Sequence, residues 1–143
     1  MGTNISEYKI KDLLPGQEFS FTKKISSSDV DMFAKLTGDN SPIHMEVSFA
    51  RERGFKDRVV HGGILVGCIS NLVGTRFPGK NSFIQTLEVK FCNPTYIGDA
   101  LKIHSIVDQI SESVGTIILK LTITNIDTSQ VLLKSKLQVV FTN

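Results

Sequence analysis

The sequence predicts an α+β fold in which an antiparallel sheet wraps around one central helix. The first supporting observation is that four segments in the last two-fifths of the chain alternate apolar and polar residues, as half-buried strands do. The second is a helical segment, residues 61–77, that is apolar almost all round and is therefore expected to be buried on most faces. A chain of 143 residues is long enough to form a single domain, residues 1–143, with a real core.

The first third of the chain contains one predicted strand and two predicted helices. Residues 16–25 (GQEFSFTKKI) are typical of a strand that follows a Pro-Gly turn. Residues 26–39 (SSSDVDMFAKLTGD) begin with a serine-rich cap and have acids in the first turn, which predicts a helix. Residues 41–55 (SPIHMEVSFARERGF) predict a second, short helix that begins at Pro42 and closes at Gly54.

The predicted central helix and the remaining strands follow. The central segment (HGGILVGCISNLVGTRF) contains Gly62, Gly63 and Gly67. Glycine lowers helix stability by up to about 1 kcal/mol relative to alanine, and in a buried helix it indicates close approach of the backbone to another group. Turn residues separate the four predicted strands, which are residues 82–92, 99–111, 115–126 and 130–141.

Composition argues against several classes of protein. A net charge of +2, with no long run of like charges, argues against a nucleic-acid partner. Cys68 and Cys92 are too few for a disulfide framework, so we expect reduced thiols, although a single bridge stays open. No membrane span and no secretory signal are recognisable, which predicts a cytoplasmic or organelle-matrix protein. The start MGTNIS fits the short myristoylation pattern at Gly2 and Ser6, a pattern that often matches by chance.

The octet TGDNSPIH, residues 37–44, places a carboxylate and an imidazole five positions apart. In a continuous helix, Asp39 and His44 would point about 140° apart. Pro42 prevents that continuation, because it lacks an N–H and disfavours helical geometry in the preceding residue. The turn can then bring His44 back towards Asp39, where the pair could hold a water and transfer its proton. The alternative is an ordinary polar helix end followed by a turn.

The segment His61-Gly62-Gly63 begins the central helix, where the first backbone N–H groups have no partner within the helix. Those donors and the helix dipole favour an oxygen that develops negative charge, as a thioester carbonyl does during proton chemistry. The alternative is that the glycines only allow tight helix entry and that His61 holds the loop. Ser70, eight residues beyond Gly62, would either bond a carbonyl of its own helix or orient Asp39.

Taken together, these segments resemble the MaoC-like family of (R)-specific enoyl-CoA hydratases, also called 3-hydroxyacyl thioester dehydratases, within the hot-dog fold. TGDNSPIHMEVSFA matches the family's hydratase motif, and VVHGGILVGCIS resembles its helix-entry segment, except that a large apolar residue usually replaces Gly63. FCNPTYIGDAL resembles the stretch that joins two strands. The resemblance extends from about residue 8 to residue 142.

The resemblance implies reversible syn hydration of trans-2-enoyl thioesters of CoA or acyl carrier protein to (R)-3-hydroxyacyl thioesters. Asp39 and His44 would activate the water, Gly62 would donate its N–H to the thioester carbonyl, and Ser70 would bond the aspartate. No cofactor and no metal are implied. The residues expected to contact substrate are Asn40, His61, Gly62 and Gly63.

Several alternatives stay open at this point. A hot-dog thioesterase would act on the same substrates, and a catalytically silent subunit would only bind them. Asp39, His44 and His61 could instead ligate a metal, and Cys68 with His61 could form a nucleophilic pair. A homodimer or higher homo-oligomer is expected, with neither a nucleic acid nor a membrane as partner. Candidates for contact with phosphates, or simply for a solvated basic surface, are Arg51, Arg53, Arg58, Arg76 and Lys80.

Overall fold

Five strands form one antiparallel sheet in the computed structural model, which describes residues 4–143. Gly2, on which the myristoylation pattern depends, lies outside the described residues. The order across the sheet is β1-β3-β4-β5-β2. The strands are β1 (Glu18–Lys24), β2 (Ser82–Phe91), β3 (Ala100–Ser111), β4 (Thr116–Asn125) and β5 (Val131–Phe141).

The apolar residues of the three central strands form the core, as the alternation predicts. Ile103 of β3 is paired with Ile123 of β4, which is in turn paired with Leu133 of β5, and all three are fully buried. Rows of this kind cover one face of the sheet with apolar side chains, so that face needs a helix against it. The other face carries the alternating polar residues.

The helix packed into this sheet is α4 (Gly62–Asn71), followed by a π-helical turn (Leu72–Arg76). It is shorter than the predicted helix because Phe77 N–H donates to Leu72 O at 2.7 Å, a bond that widens the last turn. Leu65 and Ile69 are among the residues that α4 buries against the sheet. Burial on most faces is not observed in the single chain, since the side formed by Gly63, Gly67 and Ser70 is exposed.

Helix α1 (Ser27–Thr37) confirms the predicted first helix and delivers Asp39 at its end. Ser26 and Asp29 form a capping box, each side chain accepting a hydrogen bond from the other residue's backbone N–H. These hydrogen bonds at Ser26 hold the pKa of the Asp29 carboxyl below its usual range. The helix stops at Gly38, whose φ of 80° is left-handed and favours glycine.

The predicted second helix is wrong as one continuous element, because it is split into α2 (Pro42–Met45) and α3 (Val47–Glu52) at the extended residue Glu46. A continuous helix would use the carbonyls of Ile43 and His44 internally. Instead, Ile43 O accepts from Val59 N–H at 3.0 Å, and His44 O accepts from Arg58 Nε at 2.6 Å. The loop before α4 therefore takes both acceptors and limits α2 to a single turn.

The loop that leads into α4 is held by the segment after β2. Val60 N–H donates to Thr95 O at 2.7 Å, and Val59 forms a bridge with Tyr96. This pairing places the start of α4 beside α2.

No helix among residues 4–143 is long and apolar enough to cross a membrane.

Candidate active site

Asp39 and His44 face each other across the turn that Pro42 opens. Nε2 of His44 lies 4.0 Å from Oδ2 of Asp39. Because α1 ends at Gly38 and α2 begins at Pro42, two helix ends meet here, as the spacing predicts. Two polar atoms at this separation can share one bridging water, which has a proton for each of them. The Asp39 side chain is 48% exposed and that of His44 is 16% exposed, so solvent has access to the gap.

A backbone carbonyl determines the tautomer of His44. Nδ1 lies 2.6 Å from Val59 O. A carbonyl oxygen only accepts, so Nδ1 carries the proton in this hydrogen bond. In the neutral imidazole, Nε2 then presents its lone pair to Asp39 across the gap. The ring is therefore arranged to accept a proton on the side that faces the carboxylate.

Arg58 holds the single helical turn that contains His44. Its Nε donates to His44 O at 2.6 Å, and its Nη2 forms an ion pair with Asp31 of α1 at 2.7 Å. The Nε and Nη2 groups of the guanidinium are thus bonded within the chain. Sequence reasoning missed this role, because residues 31, 44 and 58 come together only in the folded chain.

The backbone and the carboxylate of Asp39 are held by three neighbours. Asp39 N–H donates to Thr37 Oγ1 at 3.2 Å, and the carboxylate Oδ1 accepts from Ser41 N–H at 3.2 Å. Nε2 of His61 lies 3.0 Å from Asp39 O. These contacts leave Oδ2 of Asp39 as the oxygen directed towards His44.

Gly62 is the first residue of α4, and its N–H belongs to the turn that has no partner inside a helix. His61 precedes it as the N-cap but makes no side-chain hydrogen bond to the first turn. Gly62 and His44 both line a cavity of about 420 Å³ that is largely apolar. Other residues that line this cavity include Phe55, Leu65, Phe91 and Thr95.

Phe91, at the end of β2, covers Gly62 from within this cavity. A Cβ added at Gly62 would lie 2.8 Å from the Phe91 ring, which is closer than real Cβ atoms come. The hydroxyl of Thr95 is also buried and has no hydrogen-bond partner among residues 4–143. Neither residue was predicted; the polar Thr95 in the segment after β2 was the one signal in the sequence, and only the fold places it here.

Three of the predicted substrate contacts are not among the residues that line the cavity with Gly62. The Asn40 amide donates to Gly38 O at 3.3 Å in a local turn. His61 is 1% exposed, so its ring has almost no surface for a substrate. Gly63 lies on a separate groove between α1 and α4, where an added Cβ would collide with the ring of Phe33.

The predicted hydrogen bond from Ser70 to Asp39 is not formed within residues 4–143. Ser70 is exposed on the outward side of α4, eight residues beyond Gly62. The helical rise makes this about 12 Å along the axis, whereas Asp39 lies at the other end of the helix. The carboxylate accepts instead from Ser41 N–H.

The same geometry bears on two alternatives, a metal site and a nucleophilic pair formed by Cys68 and His61. Asp39, His44 and His61 each offer an atom within 4.8 Å of the others, a spacing compatible with a metal ion. However, Nε2 of His61 donates its proton to Asp39 O, so this ring could hold a metal only through its buried Nδ1. Burial raises the pKa of the Cys68 thiol, which opposes a thiolate nucleophile. Cys68 and Cys92 are both free, so the bridge left open by the sequence is not formed.

Comparison with known proteins relates the chain to one family and to relatives named as hydratases or dehydratases. The MaoC like domain family matches residues 12–129. The chain is 38% identical over 91 residues to an (R)-specific enoyl-CoA hydratase of Rhodospirillum rubrum, covering 64% of this chain and 63% of the relative. It is 40% identical over 93 residues to a 3-hydroxybutyryl-CoA dehydratase of Methylorubrum extorquens, covering 65% and 59%. The chain thus spans somewhat less than two thirds of these relatives.

The structure is similar to that of the (R)-hydratase of A. caviae involved in PHA biosynthesis. The TM-score is 0.86 at 26% sequence identity, and the match covers 92% of this chain and 98% of the A. caviae chain. The predicted hot-dog architecture is confirmed by this likeness and by the sheet around α4. A family match over most of the sequence, together with this fold, shows that the chain belongs to the MaoC-like domain family.

Proposed function

We propose that the chain catalyses the reversible hydration of trans-2-enoyl thioesters, carried on CoA or acyl carrier protein, to (R)-3-hydroxyacyl thioesters. The main supporting observation is the 4.0 Å gap between Asp39 and His44 next to the apolar cavity that Gly62 lines. The names of the R. rubrum and M. extorquens relatives agree with this activity.

In the proposed mechanism, one water lies in the gap and donates one hydrogen bond to Asp39 Oδ2 and one to His44 Nε2. The pair removes a proton as the water oxygen forms its bond to C3. The C2–C3 π electrons move towards the thioester oxygen, which accepts a hydrogen bond from Gly62 N–H. The same pair then returns a proton to C2 on the same face, which gives syn addition. Asp39 and His44 act as one coupled unit in both proton transfers.

The cavity suits the acyl part of such a substrate. Its walls include Phe55, Leu65 and Phe91, which are apolar, and it is also lined by His44 and Gly62. A site with apolar walls and a few polar groups is typical of small-molecule pockets. We therefore place the enoyl group between the pair and the first turn of α4, with the cavity beyond it.

The activity is tested with a series of trans-2-enoyl-CoA substrates of increasing acyl length. Loss of enoyl absorbance, with formation of the (R)-3-hydroxy product on a chiral column and no release of thiol, is the expected result. A thiol-reactive dye measures CoA release in the same samples. Stoichiometric thiol release would identify a thioesterase instead, and binding without either change would identify a silent binding subunit.

We further propose that the chain, as a single domain, acts as a homodimer. Gly63, Gly67 and Ser70 leave the outward side of α4 open, and Met32 and Leu36 of α1 are exposed beside it. An exposed apolar surface of this kind favours association with a second copy, and the sheet also has two edge strands, β1 and β2, that could pair with another chain. Light scattering after size exclusion is expected to give about twice the mass of 15.8 kDa. A monomer at working concentration would contradict this.

We also propose that the protein works in a reducing compartment, the cytoplasm or an organelle matrix. The supporting observation is that Cys68 and Cys92 are both unpaired thiols.

A further inference from the structure

We propose that His61 is a positioning residue that holds Asp39 and His44 at their working separation; this inference rests on the proposed function of that pair. It differs from a substrate-contacting role, because the ring is 1% exposed. It also differs from a general structural role, because the ring contacts both members of the pair: it donates a hydrogen bond to Asp39 O and stacks on His44.

The ring of His61 contacts Asp39 and His44 in two different ways. Its Nε2 donates to Asp39 O at 3.0 Å, which fixes the backbone from which the carboxylate extends. Its face is stacked on the His44 ring, with centroids 3.9 Å apart and planes inclined by 26°. A displacement of His61 would therefore change the position of both groups. A displacement of a catalytic group by about 1 Å can lower the rate about a hundredfold.

Phe33 of α1 also packs against the His61 ring. The two centroids are 4.8 Å apart, so His61 contacts both Phe33 and His44. Phe33 reaches this place because residue 63 is glycine; an added Cβ there would collide with the ring. Gly63, where a large apolar residue is usual, is therefore matched by Phe33, whose ring occupies the space that a side chain at position 63 would need.

The hydrogen bonds assign opposite tautomers to the two stacked imidazoles. His61 carries its proton on Nε2, which donates to Asp39 O, whereas His44 carries its proton on Nδ1, which donates to Val59 O. The neutral His61 ring is then left with a lone pair on Nδ1, which is buried and has no partner among residues 4–143. A phenyl ring would fill this volume without burying an unpaired acceptor, so packing alone gives no reason for histidine here.

The kinetic test compares His61→Phe with His61→Gln. His61→Phe keeps an aromatic ring against Phe33 and His44 but loses the donor to Asp39 O, whereas His61→Gln keeps a donor at a similar reach. For His61→Phe we expect kcat for crotonyl-CoA to fall about ten- to a hundredfold, with KM within about twofold and an unchanged or higher urea midpoint. His61→Gln is expected to recover part of the lost kcat. A fully active His61→Phe variant, or a raised KM at unchanged kcat, would overturn the proposal.

A second test does not depend on turnover. The chain has three histidines, so the imidazole ¹⁵N spectrum at neutral pH is simple, and His44→Gln and His61→Phe assign the signals. We expect the Nδ1–H form for His44 and the Nε2–H form for His61. Equal tautomers in the two rings would overturn this inference even in an active enzyme. Failure of the hydration assay with opposite tautomers present would instead overturn the proposed function while leaving the assigned hydrogen bonds of His61 and His44 in place.

Discussion

Asp39→Asn is expected to lower kcat for hydration of crotonyl-CoA by about a hundredfold to ten-thousandfold, the range for a positioned proton-transfer group. The amide keeps the shape of the side chain and still accepts from Ser41 N–H, as Oδ1 of Asp39 does at 3.2 Å. What it removes is the anionic oxygen 4.0 Å from His44 Nε2. The bridging water would then lose one of its two proton acceptors, and kcat is measured from the loss of enoyl absorbance.

The effect of Asp39→Asn should be confined to catalysis. Because the Asp39 side chain is 48% exposed, we expect the free energy of unfolding in urea to change by no more than about 0.5 kcal/mol. Asp127→Asn makes the same chemical change in the exposed turn between β4 and β5 and is expected to keep full activity. Near-normal turnover by a folded Asp39→Asn variant would remove Asp39 from the proposed mechanism.

Gly62→Pro is expected to lower kcat by about a hundredfold to a thousandfold relative to Gly62→Ala, the range for loss of one oxyanion donor. Proline removes the backbone N–H, and the first position of a helix is where proline is best tolerated. The preceding residue, His61, already has φ −55° and ψ 133°, a conformation that proline accepts after it. The substitution therefore removes the donor while α4 keeps its start.

Gly62→Ala is the matched control because both variants add a Cβ near the Phe91 ring. That atom would lie 2.8 Å from the ring, whose side chain is half exposed and can turn away. Any loss that comes from the Cβ beside Phe91 is shared by the two variants. Their ratio therefore measures the replacement of the N–H by the proline ring. Equal kcat values for Gly62→Pro and Gly62→Ala would show that this amide does not stabilise the thioester oxygen.

Much of the fold follows from short-range patterns. The alternation in β3, β4 and β5 reports which side chains face the core, because successive residues of a strand point to opposite faces. The end of α1 is equally local, since Gly38 adopts a left-handed conformation and Ser26 caps the first turn. Long-range hydrogen bonds are not visible in such patterns. The split at Glu46 has this cause, because Arg58 and Val59 bind the carbonyls that a longer helix would use.

The candidate site also has features that follow from local sequence and features that depend on long-range contacts. The approach of His44 to Asp39 was predictable from the sequence by itself, because Pro42 acts on the adjacent backbone and needs no distant partner. The availability of the Gly62 N–H was predictable too, since every helix start leaves such groups unpaired.

Only the tertiary structure decided which other side chains surround this pair. It buries His61 against Phe33 and His44, and it leaves Ser70 on the outward side of α4. It also uses Arg58 as a support for α2. The physical reason is that these contacts join segments that lie far apart along the chain, so their geometry depends on how the sheet and α4 close around the core.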